Sequence, residues 1–121
     1  MRTYLRIWLV LALACTAVVA LPATSMSGKV RIKATSNRTW NPDFKGVKKG
    51  TKVIWKNPTG IRHNVIAYGG GWSKNSDISP GGRTAKRFKK NGAYDYRCRF
   101  HSTLVNGDCN GMCGHVHVSN G

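Results

Sequence analysis

The sequence predicts an all-β domain, an antiparallel sandwich or barrel. Three observations carry this. Short runs alternate apolar with polar residues, Gly/Pro turn signals separate them at regular spacing, and no helical period of useful length follows residue 25.

Lys29–Ala34 puts Val30, Ile32 and Ala34 on one face and charges on the other. Thr51–Lys56 forms a second strand and His63–Tyr68 a third. Arg83–Lys89 and Ala93–Cys98 form a fourth and fifth, and Gly114–Val118 closes the chain. The turns fall at Lys49-Gly50, Pro58-Thr59-Gly60, Gly69-Gly70-Gly71, Ser79-Pro80-Gly81-Gly82 and Asn91-Gly92. Residues 69–78 make the longest stretch expected to be irregular.

Length and composition bound the rest. A chain of 121 residues holds one domain and excludes a two-domain enzyme. At 40% apolar, with four Trp, four Tyr and three Phe, it can build a core. It has no Glu, so Glu-based acid/base chemistry is excluded; the acids are Asp43, Asp77, Asp95 and Asp108. Residues 1–25 read as a secretory signal peptide. Arg2 and Arg6 precede an apolar run, Ile7–Ala20, of 14 residues, short of the roughly 20 that span a bilayer, with small residues following. The mature chain, residues 26–121, is therefore expected to have no transmembrane span and to be exported: periplasmic, extracellular or at the cell surface. Without Arg2 and Arg6, 18 basic residues face 4 acids, a net charge of +14. Such a field attracts anionic surfaces unspecifically. No nucleic-acid motif accompanies it.

Cys15 leaves with the leader, so Cys98, Cys109 and Cys113 remain. In an oxidising compartment an odd count suggests one disulfide and one thiol with another role. Cys98-x2-His101 ends the fifth strand, Met112 follows between Gly111 and Cys113, and His63 starts the third. One thiolate, two imidazoles and a thioether make a coherent donor set. Two His and one Cys in a trigonal arrangement, with a weak axial Met, form a blue-copper site. The lack of carboxylates argues against Ca2+ or Mg2+.

At this point the sequence resembles the cupredoxins of plastocyanin/pseudoazurin type over nearly the whole mature chain. The resemblance rests on Trp40-Asn41-Pro42-Asp43-Phe44, on the V-x-x-G and V-x-W-x-N run from Val47 to Asn57, and on Arg62-His63-Asn64-Val65. It continues through Ser79-Pro80-Gly81-Gly82, G-x-Y-x-Y-x-C-x-x-H from Gly92 to His101, and G-M-x-G-x-V-x-V from Gly111 to Val118. It implies a Greek-key β-sandwich holding one copper ion that cycles between Cu(II) and Cu(I). His63, Cys98, His101 and Met112 would be the ligands, and Asn64 would tie the first ligand to the Cys loop. The protein would be a one-electron carrier and not an enzyme, monomeric by default. It would dock transiently on an acidic redox-partner protein through the edge of His101, with Phe100, Leu104 and Val105 in an apolar patch. One departure stands out: ten residues separate His101 from Met112, where the family's loop is usually much shorter. A Cys109–Cys113 disulfide would close a tight loop around Met112 and offset the insertion.

Other readings compete. Copper storage or delivery would use the same site. A multicopper oxidase or reductase places His on each side of its Cys, whereas Arg97 and Arg99 flank Cys98. Structural zinc would take Cys98, His101, Cys109 and Cys113 as C-x2-H-x7-C-x3-C. His115 and His117 alternate with Val116 and Val118, so valines in the core put both histidines at the surface.

Overall fold

A computed structural model describes residues 28–120. The predicted leader, residues 1–25, lies outside the described residues. The strands are β1 (Lys29–Ala34), β2 (Trp40–Asn41), β3 (Phe44–Lys48), β4 (Lys52–Lys56), β5 (His63–Gly69), β6 (Asn75–Ile78), β7 (Arg83–Arg87), β8 (Gly92–Val105) and β9 (Asp108–Ser119). They form two sheets, ordered β2-β1-β4-β7 and β3-β9-β8-β5-β6. No helix among the described residues is long and apolar enough to cross a membrane.

Alternation explains the core. Ile32, Val53 and Trp55 of the first sheet face Val65, Tyr96, Val116 and Val118 of the second. Trp55 packs edge-on against Tyr96 at 5.1 Å, and Tyr96 meets Trp40 edge-on at 5.8 Å. Trp72, in the Gly-rich segment, packs against this core and not into solvent. Lys74 closes the side of the sandwich. Its Nζ donates to Thr84 Oγ1 at 2.8 Å and lies 5.7 Å from the Trp55 ring centroid. Burial lowers its pKa.

The sandwich is as expected, but its pairing is mixed. β1–β4 and β3–β9 run parallel, and the other pairs are antiparallel. After β1 the chain turns back as β2 at the edge of the same sheet, crosses to β3 at the edge of the second sheet, and returns as β4 beside β1. A return by crossing restores strand direction, which a hairpin would reverse.

Three strands do not show in the alternation: β2, β3 and β6. β3 and β6 each bury one side chain, Val47 and Ile78, so they carry no apolar period. β6 makes the end of the 69–78 stretch regular, because its backbone pairs with β5. The insertion between His101 and Met112 is also regular. β8 and β9 continue past the domain body as a two-stranded arm, closed by Asn106-Gly107 with φ of 52° and 83° and Val105 opposite Asp108. Two consecutive residues at positive φ give the two-residue hairpin turn that Asn-Gly favours.

Close packing makes Gly114 obligatory. A Cβ at Gly114 would enter the Tyr96 ring, whereas a Cβ at Gly46 would meet nothing within 4 Å. Gly114→Ala should therefore cost about 1–3 kcal/mol, and Gly46→Ala should stay within about 0.5 kcal/mol. Urea unfolding midpoints of the two variants check this.

Candidate metal centre

The site is built where the β8–β9 register breaks. Arg97 pairs with Cys113 and Ser102 with Gly111. Between those pairs β8 holds Cys98, Arg99, Phe100 and His101, while β9 holds Met112 alone. This bulge bends β8 out of the ladder and turns the Cys98-x2-His101 segment toward the start of β5. Ser102 Oγ donates to the Cys98 carbonyl and Arg97 Nη1 to Ser102 Oγ, closing the bulge from inside. Gly111 permits the tight approach. Its φ is 104°, and a Cβ there would run into the His101 carbonyl.

His63, Cys98 and His101 converge. Their donor atoms all lie within 4.8 Å of one another. Cys98 Sγ is 3.9 Å from His63 Nδ1 and 3.4 Å from His101 Nδ1. An ion bound at about 2.0–2.3 Å with trigonal or tetrahedral angles would separate N and S donors by about 3.6–3.8 Å, so the set fits one transition-metal ion. His63, Cys98 and Met112 are fully buried, and His101 is half-buried. Met112, across the bulge, lies in the core and is bracketed by the Cys109–Cys113 disulfide, whose Cα atoms are 6.1 Å apart. Cys98 is the free cysteine among the described residues. The alternative zinc set is dismantled, since two of its three thiols are bonded to each other.

The tautomer of His63 follows from its neighbours. Thr59 Oγ1 is 2.6 Å from Asn57 Oδ1, which can only accept, so the Thr59 hydroxyl donates there. The same oxygen lies 3.0 Å from His63 Nε2 and accepts the proton of that ring nitrogen. Nδ1 is left with its lone pair toward Cys98. Asn57 is itself pinned, donating to the carbonyls of Ile61 and Ile78. Burial, then the charges of His101 and Arg38, lower the His63 pKa; burial and then Arg38 lower that of His101. Both rings are thereby biased to the neutral form that binds a metal.

Thr59 and Asn57 were not singled out in the sequence. Their signal was an Asn-x-Thr turn of the kind whose side chains bond locally, but only the fold shows that the turn ends on His63. Asn64 is fully buried, and its Nδ2 donates to Asp77 at 2.8 Å and Asn75 at 3.0 Å, tying β5 to β6. Its link to the Cys98 segment is indirect, through the 3.4 Å contact of Arg99 with Asp77. The reason is register: Asn64 lies opposite Asp77 on the neighbouring strand. His115 stands apart from the site, bonded to Asp95 and stacked on Phe44 at 5.2 Å, and His117 is exposed.

Comparisons with known proteins agree with this geometry. Residues 26–119 match the sequence profile described as copper binding proteins, plastocyanin/azurin family. No curated protein matches the chain. Among solved structures, a novel purple cupredoxin from Nitrosopumilus maritimus is similar at 24% identity and TM-score 0.59, over 74% of this chain and 99% of that one. A variant of amicyanin in its reduced Cu(I) form is similar at 24% identity and TM-score 0.63, over 80% of this chain and 88% of the other. A copper-containing nitrite reductase from Thermus scotoductus SA-01 is similar at 21% identity and TM-score 0.62, but this chain spans only 22% of its length. At these identities the likeness is one of fold.

Thr59→Val removes the acceptor for His63 Nε2 without changing side-chain size. It should lower copper affinity by about 10–100-fold, the usual effect of losing a partner that orients a ligand. Competition against a copper chelator checks this, with the unfolding midpoint of the metal-free variant showing that the fold persists.

Proposed function

The chain belongs to the plastocyanin/azurin family of copper-binding proteins, and from this premise we propose that it is a one-electron carrier using His63, Cys98, His101 and Met112 as its copper ligands. The convergence of His63 Nδ1, Cys98 Sγ and His101 Nδ1 within 4.8 Å carries the reading. Copper, when bound, supplies a one-electron couple between Cu(II) and Cu(I). The residues supply the rest. Thr59 and the bulge hold the imidazole and thiolate donors in place whether or not charge changes, so little has to move. Burial of Cys98 and His63 keeps water from the thiolate side. Met112 offers a thioether from the opposite strand, held by its flanking disulfide.

His101 is the route to the surface. Phe100 beside it is 43% exposed, and Ile61, Leu104 and Val105 are exposed as well. Arg62 and Arg99 lie 5.8 Å and 5.0 Å from the Phe100 centroid, and both contact Asp77. An apolar patch rimmed by Arg38, Arg62 and Arg99 suits brief docking of an acidic redox partner, steered by charge and weakened by salt. The leader over residues 1–25 and the disulfide support a place outside the cytoplasm.

Addition of Cu(II) should give an intense visible band from thiolate-to-copper charge transfer. Cys98→Ser should abolish it, and Met112→Ala should shift it. No band in the wild-type protein would overturn the copper-ligand assignment. A normal band with slow electron exchange but ready copper transfer to an acceptor would favour copper delivery by the same site.

A further inference from the structure

The outward face of the first sheet plays no part in the metal site. Register aligns Lys29, Lys52 and Arg87 in one row across β1, β4 and β7, and Lys33, Lys56 and Arg83 in another. Between them lie Arg31, Ile54 and Ala85. Their neighbours Val53 and Trp55 point into the core, so these nine point outward. Seven of the nine are cations and none is an acid. Asp77, Asp95 and Asp108 belong to the second sheet, and Asp43 lies just before it, so no carboxylate belongs to these strands.

Neighbouring strands are about 4.8 Å apart and alternate residues along one about 6.8 Å. Like charges directly opposite at this spacing oppose folding. Arg87 is partnered, its Nη1 donating to the Gly50 carbonyl at 2.8 Å; the other six cations have no acid on their strands, and their balancing charge is external. Ile54, though outward, is only 7% exposed; it is roofed by its basic neighbours, as the apolar stems of Lys and Arg allow. A shallow depression of about 380 Å³ lies over Ile54 and Ala85, with Lys29, Arg31, Lys52 and Arg83 around it. The face has anion-binding chemistry and nothing apolar to insert.

We infer that this face docks the protein on an anionic lipid surface, with headgroup phosphates supplying the missing counter-charge. The cations form a two-dimensional array. A plane of headgroups meets all three rows together, whereas a single linear polyanion follows one row or one strand at a time. All four proposed copper ligands lie on the second sheet or its bulge, so docking leaves them uncovered. The inference does not depend on copper.

The test is co-sedimentation of the protein with vesicles of phosphatidylcholine alone, or of phosphatidylcholine with phosphatidylglycerol, at low and high salt. Binding should need phosphatidylglycerol and fade as salt rises. The triple variant Arg31→Gln/Lys52→Gln/Arg83→Gln should lower partitioning about 100-fold, since each basic residue near such a surface contributes roughly fivefold. Lys45→Gln/Lys48→Gln/Lys90→Gln removes the same charge elsewhere and should cost less than about fivefold. Unfolding midpoints show that both variants remain folded. Equal losses in the two variants would overturn the assignment to this face. Wild-type protein that ignores the vesicles would overturn the lipid surface, and face-dependent binding to soluble polyphosphate in that case would make a linear polyanion the partner.

Discussion

Four residues of β8, Cys98 to His101, span the gap that Met112 alone spans on β9, and most of the site follows from that mismatch. Below it, the β8–β9 ladder is regular. Tyr96, Val116 and Val118 face the core while Asp95 and His115 face out. Above it, the ladder resumes as the arm that ends at Asn106-Gly107. The break turns a thiol and an imidazole, three residues apart in sequence, toward the imidazole at the start of β5. Gly111 and Ser102 make the break possible, one by lacking a Cβ and the other by bonding the Cys98 carbonyl.

The two imidazoles are held differently, and this divides their roles. His63 is enclosed, its Nε2 committed to Thr59, and Thr59 in turn to an Asn57 that bonds two backbone carbonyls. His101 is half-buried beside exposed Phe100. One ring is fixed by a chain of hydrogen bonds and the other offers an edge to solvent. Positive charge is likewise divided. Near the site, Arg62 and Arg99 share Asp77 and stack on Phe100. On the first sheet, the cations stand in rows with no acid on their strands.

The longer strands were legible because each buries two or more alternate residues, as Ile32 with Ala34 and Val116 with Val118 do. β3 and β6 were not, because one buried residue makes no period and their regularity comes from pairing at a sheet edge. The arm was legible in principle. Asn106-Gly107 between Leu104-Val105 and Cys109 is a strong hairpin signal, yet reading the segment as an inserted loop obscured it. Met112 was placed by motif. The arm shows how a ten-residue separation from His101 still returns Met112 opposite the Cys98–His101 segment, since a hairpin adds length in pairs and returns the chain to where it departed.

The donor set, the disulfide pair and the core faces of the main strands are properties of the sequence itself. They depend on residue type and local spacing, which motif and period express directly. The sequence also fixes the excess of positive charge, but not its arrangement. Tertiary structure alone decided that Thr59 sets the His63 tautomer, that Asn64 reaches the Cys98 segment only through Asp77 and Arg99, and that cations from three separated strands line up in rows. Each of these joins residues from different strands or turns. Which of them meet is set by sheet order and register, and those emerge only when the whole chain has packed.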